Sequence, residues 1–282
     1  MIPLERKRML PWQDTVATRY PPVVVLLLVG ACVLGFLYQS SLPPSVLEPF
    51  LRDYALVPAR FLGRLRATAP GDWIAFLTNM FLHAGWLHLV LNMWTLWIFG
   101  PAVEDRLGPL RFLSFYIACG LAAGIAHALA NPDSVVPALG ASGAIAGVIG
   151  CYARLFPAAR LVVLVPVLFI PFFLEVRAIA FAAVWLLLQI VPGVVTLGQQ
   201  TESGGIAWWA HIGGLAAGIG LTAPPGFLFA ADLGKTAGTQ LRLAGKALGL
   251  GPRLGKGGTA LRHLRANGRQ RRLALRDAAE PF

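Results

Sequence analysis

Apolar residues run along this chain in blocks too long and too uniform for one buried face of a soluble helix or strand. Six blocks approach the roughly 20 mostly apolar residues that cross a bilayer: 22–38, 85–101, 112–130, 139–153, 178–197 and 206–223. Each predicts a membrane-spanning helix. A seventh run, 161–174, is short and carries Pro166 and Pro171, which predicts an interfacial or re-entrant stretch and not a span. The first block follows Arg6, Lys7 and Arg8 as a signal peptide would, but no small-residue cleavage site follows Leu37, so it reads as a retained anchor. The pattern divides the chain into an N-terminal segment 1–20, an all-α, six-helix membrane domain 21–223, and a tail 224–282.

Composition supports that division. Of 282 residues 56% are hydrophobic and 13% charged, about half the roughly 25% charge of soluble domains. A soluble globule is excluded. Cys32, Cys119 and Cys151 each lie in an apolar run at no metal or redox spacing, and read as small buried hydrophobes. The net charge of +11 is concentrated in the tail, where eleven Lys and Arg face Asp232, Asp277 and Glu280. Such a segment is attracted to anionic lipid. From Lys235 onward it has no aromatic residue before Phe282, which argues against nucleic acid as its partner.

Loop charges give an orientation. With six spans the two termini share a side, and the opposite side holds only Arg52, Arg60, Arg64 and Arg66. The positive-inside rule then places both termini in the cytoplasm. Glu104, Asp105, Arg106 and Arg111 fall in a short cytoplasmic loop, where they predict an ion-pair network.

Few polar groups lie inside the spans, and those few are costly enough to be functional candidates. Span two carries His88 and Asn92, four residues apart on one helix face. Span four opens on Gly140-Ala141-Ser142-Gly143, span three carries His127, and span six carries His211 after Trp208 and Trp209. Given the topology, His88, Asn92, Ser142 and His211 share one depth on the outer side. The chemistry such a set allows is acyl transfer, with Ser142 as nucleophile and His211 as the base that takes its proton. The Ser142 backbone N–H, the Asn92 amide and the His88 imidazole are available to an oxyanion. Gly143 and Gly147, and Gly214 and Gly218, form small-residue stripes that let two helices approach closely. No span has a carboxylate in its outer half, so a Ser–His dyad is expected and not a triad. His83 and His127 read as structural and His263 as an exposed tail residue. Four histidines without a carboxylate or thiolate at ligand spacing make no metal site, and no cofactor is expected.

These residues resemble a known family. His83-Ala-Gly-Trp-Leu-His88-Leu-Val-Leu-Asn92, Gly140-Ala-Ser142-Gly143 and Ala210-His211-Ile-Gly-Gly214 are similar, in order and by span, to three motifs of the rhomboid intramembrane serine proteases. Glu104-Asp-Arg106-Leu-Gly108 is similar to the family's pattern as well. The resemblance covers roughly 73–221. It implies a six-helix core that cleaves the transmembrane segments of other proteins, with Ser142 as nucleophile, His211 as general base, and His88, Asn92 and the Ser142 amide as oxyanion hole. Gly140 would lie beside that hole, with Gly143 and Gly214 supporting it. It also implies lateral substrate access past span five under a cap at 192–205. A multi-pass protein of a bacterial-type inner membrane follows, with its active site on the extracytoplasmic side. The alternatives are an inactive relative that binds membrane segments, which would lack the serine or the histidine, and a small transporter, for which neither repeats nor midplane charges are visible. Two departures from the best-known bacterial members stand out. The outer-loop Trp-Arg pair is Trp73-Ile74 here, and the aromatic that stacks on the catalytic histidine is replaced by Ala146, leaving Trp208 or Trp209 to hold the His211 ring.

Overall fold

The computed structural model describes residues 16–62, 72–167, 170–195 and 207–222. The first fifteen residues, most of the 192–205 cap and the basic tail with His263 lie outside the described residues. The elements are α1 (Val23–Ser41), α2 (Pro44–Tyr54), α3 (Pro58–Phe61), α4 (Ala75–Thr78), α5 (Trp86–Leu107), α6 (Pro109–Ala130), α7 (Ser142–Leu155), β1 (Arg160–Val167), β2 (Ile170–Arg177), α8 (Ala178–Val195) and α9 (Trp208–Leu221), with single 3-10 turns at Asp72–Ile74 and Asn79–Phe81. Among the described residues, α1, α5, α6 and α8 are long and apolar enough to cross a membrane. The helices α7 and α9 have 14 residues each.

The element that departs from the all-helical expectation is the seventh apolar run. It is an antiparallel hairpin, with Arg160 opposite Arg177 and Pro166 opposite Pro171. The prolines bar a helix, and the surrounding valines and phenylalanines favour extended backbone. The hairpin closes at its base through the Ala178 N–H, which donates to the Ala159 carbonyl at 2.8 Å.

A second difference lies at the predicted cytoplasmic loop, which is almost absent. The helix α5 continues to Leu107, and Gly108 alone links it to α6. With φ at 82° Gly108 takes a left-handed turn that a side chain would disfavour. Glu104 and Asp105 therefore sit on the last turn of α5, where their carboxylates bond backbone N–H groups of α1 and of the residues before it. Glu104 is buried, and its two carboxylate oxygens each accept a backbone N–H at 2.9 Å, from Val24 and Val25. Asp105 accepts the N–H groups of Arg19 and Tyr20 at 3.0 and 3.1 Å. The residue before α1 is Pro22, which has no side chain able to cap. A carboxylate from another helix supplies what the local sequence lacks, with its charge at the positive end of the α1 dipole.

At the centre stands α7, with every residue from Gly143 to Ala153 buried. Its small side chains let α6 and α9 close on it. A Cβ at Gly214 would overlap the carbonyl of Gly143, and one at Gly218 would overlap the carbonyl of Gly147. A Cβ at Gly143 would lie 2.6 Å from the Ala123 Cβ on α6. By contrast α1, α5 and α8 expose large apolar side chains, among them Leu27, Leu87 and Leu188, as lipid-facing helices do.

The described residues between α1 and α5, 42–62 and 72–85, form a structured loop. Arg60 pairs with Asp72 at 2.9 Å and with Asp53 at 3.7 Å, tying α2, α3 and the turn before α4 together. Trp73 stacks on Phe76, and both rings contact Phe61. The ionic anchoring that Ile74 cannot provide thus comes from Arg60.

Two stability predictions follow from these contacts. Glu104→Ala leaves two buried N–H groups unpaired, so it lowers unfolding stability in detergent by about 2–4 kcal/mol, while the more exposed Asp105→Ala costs about 1 kcal/mol. Gly218→Ala forces α7 and α9 apart and lowers the melting temperature measurably. Gly220→Ala meets nothing within 4 Å and leaves it unchanged or slightly raised.

Candidate active site

Ser142 opens α7 directly after the Gly140-Ala141 turn and is half-buried. Its position is fixed through the preceding loop. The Gly140 N–H donates to the Asn79 carbonyl at 2.8 Å, and Leu56 and Ala138 exchange backbone bonds at 2.9 and 2.8 Å. Asn79 is itself held, its side-chain amide donating to the carbonyls of Ala75 and Phe76 at 2.6 and 2.8 Å. Gly140 has φ at 129°, and a Cβ there would lie 2.7 Å from the Cε1 of His88. Glycine both permits the turn and leaves room for that imidazole.

Facing Ser142 from α9 is His211. Its Nε2 lies 2.8 Å from the Ser142 Oγ, and its Nδ1 lies 2.7 Å from the Oε1 of Gln189 on α8. The Gln189 Nε2 donates to the Trp185 carbonyl at 3.3 Å. Two aromatic rings frame the imidazole: Trp185 at 5.6 Å between centroids, tilted by 39°, and Trp208 at 6.4 Å, edge-on. Of the two tryptophans expected beside His211, Trp208 makes the ring contact, and Trp185 joins it from a helix not considered for that role.

The third side comes from α5. The Ala84 N–H donates to the His88 Nδ1 at 3.4 Å. In the neutral ring that places the proton on Nε2, the nitrogen that would be 2.9 Å from a Cβ at Gly140. Asn92 follows one turn later, and its buried Nδ2 makes no hydrogen bond among the described residues. An unpaired buried donor costs about 1–3 kcal/mol. The first N–H groups of α7, Ser142 included, have no carbonyl within their own helix to bond. The His88 imidazole and the Asn92 amide therefore lie beside Gly140, two residues before Ser142.

Ser142, His211, His88, Asn92 and Gly140 thus meet at one end of the bundle, with Gly143 and Gly214 in the helix contact behind them. His83 is fully buried with its ring 5.3 Å from that of His88. Burial first, and His88 second, lower its pKa to about 4, so it is a neutral packing residue. His127 lies in the last turn of α6 near Asn131, with 3.4 Å between Nδ1 and the amide. The residue that sequence reasoning passed over is Gln189. It is the lone amide in an otherwise apolar helix, and the cost of a polar group in a span applies to it as to the histidines.

The family model described as a Rhomboid domain matches residues 70–224. The chain is similar to the rhomboid protease GluP of Bacillus subtilis, 44% identical over 82 residues, or 29% of this chain and 16% of that protein. It is also similar to the mitochondrial rhomboid protein 1 of Saccharomyces cerevisiae, 38% identical over 96 residues, or 33% and 28% of the two chains. With the rhomboid-like protease 5 of Toxoplasma gondii it shares 32% identity over 155 residues, or 53% and 16%. These matches span less than a third of each relative's length. The domain match covers more than half of this chain and all of the residues that meet at the site, and the protein belongs to the rhomboid family of membrane proteases.

Proposed function

We propose that this protein is an intramembrane serine endopeptidase that hydrolyses peptide bonds in or near the transmembrane segments of other membrane proteins. The observation that carries this reading is the 2.8 Å contact between the Ser142 Oγ and the His211 Nε2, made across two helices within an apolar bundle. A hydroxyl and an imidazole so placed form the nucleophile and base of acyl transfer. An inactive relative would have no reason to keep both.

In this mechanism the Ser142 Oγ attacks the scissile carbonyl carbon while its proton passes to the His211 Nε2. The carbonyl oxygen gains the negative charge and accepts hydrogen bonds from the Ser142 N–H, the His88 Nε2–H and the unpaired Asn92 amide. The imidazolium then protonates the leaving amine, and an ester remains on Ser142. A water molecule, deprotonated by His211, hydrolyses that ester and restores the hydroxyl. Substrates must present an extended strand, because a helical peptide holds its carbonyls in its own hydrogen bonds.

The bundle crosses the membrane six times in this reading, with α7 and α9 as short inner crossings. Fourteen residues rise only about 21 Å, less than the roughly 30 Å of hydrocarbon. A central helix enclosed by protein need not meet lipid at either end, so Ser142 is recessed below the surface. The last residues of the loop before it, Gly140 and Ala141, are buried, and the Gly140 N–H is bonded to the Asn79 carbonyl, so irregular backbone is tolerated there. Basic residues mark the opposite end of the bundle as cytoplasmic, and the tail beyond 223 is attracted there to anionic lipid.

Cleavage of a tagged single-span substrate in liposomes tests the reading. Wild type is expected to cut it, and Ser142→Ala to be inactive and unlabelled by a fluorophosphonate probe. Equal cleavage by the mutant would remove Ser142 from the mechanism. Asn92→Ala is expected to lower kcat about a hundredfold, or close to 3 kcal/mol in the barrier, with the probe rate falling in parallel. An unchanged kcat would return Asn92 to a packing role.

A further inference from the structure

We propose that Gln189 is a positioning residue for His211, acting as the uncharged third member of a relay drawn from α7, α9 and α8. The inference rests on the protease reading and adds a function for the one polar residue of α8. Its side chain is 7% exposed, so both ends of the amide need partners. Each has one. The Nε2 donates to the Trp185 carbonyl one turn back at 3.3 Å, and the Oε1 lies 2.7 Å from the His211 Nδ1.

Only one assignment of protons satisfies the whole chain of contacts. With the amide as described, Oε1 accepts a hydrogen from Nδ1, the neutral imidazole carries its proton there, and Nε2 keeps a lone pair directed at the Ser142 hydroxyl. A flipped amide would set its oxygen against the Trp185 carbonyl and its N–H groups against Nδ1. The ring proton would then move to Nε2 and point at the Ser142 Oγ, where it would block the transfer that starts catalysis. Trp185 therefore fixes the amide, and the amide fixes the tautomer. The indole of the same residue packs on the imidazole, so α8 contributes both orientation and support through positions 185 and 189, four apart on one face.

A neutral amide suits this place better than a carboxylate. A charge buried in a membrane bundle carries a large desolvation cost, whereas an amide oxygen accepts the same hydrogen bond without one. The site thus obtains the tautomer control that serine hydrolases derive from an acidic residue, at the expense of weaker stabilisation of the imidazolium.

The test begins with a readout that needs no variant in Gln189. In protein labelled with 15N at histidine, the neutral His211 is expected to show a pyrrole-like Nδ1 and an imine-like Nε2, with the signals assigned by their loss in His211→Asn. A proton on Nε2 in the resting enzyme would overturn the proposal. Gln189→Met keeps the volume and removes the acceptor. It is expected to move His211 towards a mixture of tautomers and to slow both fluorophosphonate labelling and kcat about tenfold or more, with KM within about twofold of wild type. Gln189→Glu restores an oxygen at Nδ1 and is expected to recover most of the lost rate. Equal losses in the Met and Glu variants would make Gln189 a packing residue, and labelling of the Met variant at the wild-type rate would remove it from the relay. Ser142→Ala, measured alongside, separates the two levels, since its continued cleavage of substrate would refute the protease reading itself.

Discussion

The contact between the backbones of α7 and α9 is the constraint on which the rest of this molecule depends. Side chains of ordinary size hold two helices about 8–10 Å apart, and any residue larger than glycine at positions 214 or 218 would push α9 away from α7. Gly214 packed on the Gly143 carbonyl, and Gly218 on that of Gly147, remove that spacing. The Ser142 and His211 side chains then meet at 2.8 Å without either leaving its helix. Close approach also explains why α7 sets Gly143, Ala146, Gly147 and Gly150 against α9 and why it is the most enclosed of the described helices. Lipid offers no hydrophobic drive for helices to associate, so packing of this kind must supply it.

Much of this was legible in the sequence, for identifiable reasons. Polar side chains are rare in the apolar blocks, so His88, Asn92, Ser142 and His211 stand out, and the alternation of spans predicts that they share one end of the bundle. The structure places them there. The limits of the reading are equally physical. Helix ends were drawn at the edges of apolar blocks, which placed Glu104 and Asp105 in a loop. Hydrophobicity does not reveal that a carboxylate at the end of one helix completes the backbone of another, because the recipient, Val24 and Val25 behind a proline, has no signal of its own. The run at 161–174 illustrates a different limit, since its length excluded a span but its alternatives were framed for helices. The prolines that ruled out a helix there were also evidence for extended backbone.

Gln189 shows where the weighting of residues failed. Soluble hydrolases set a carboxylate beside such a histidine, and the apolar blocks that carry Ser142 and His211 contain none. In water a carboxylate orients a histidine at little desolvation cost because solvent screens it. Inside a bilayer the balance changes, and a neutral acceptor performs the orientation more cheaply. Asn92 and Gln189 then form a contrasting pair. Both are buried amides in apolar helices, yet Gln189 has a partner at each end while the Asn92 Nδ2 has none.

The two ends of the bundle carry opposite electrostatic designs. At the end away from Ser142, Glu104 sets negative charge on the Val24 and Val25 N–H groups in the first turn of α1, and Asp105 holds the N–H groups of Arg19 and Tyr20 just before it. Where Ser142 opens α7, no carboxylate takes that place among the described residues. The first N–H groups of α7 have no carbonyl within their own helix to bond, and the His88 imidazole and the Asn92 amide lie beside Gly140 just before them. A capping carboxylate there would have stabilised α7 by about 1 kcal/mol. Leaving that helix terminus uncapped is a local loss of stability that the buried packing of α7 can absorb. It follows that the enclosure of α7, and not its own capping, holds Ser142 in place, which returns the burden to the glycine contacts with α9.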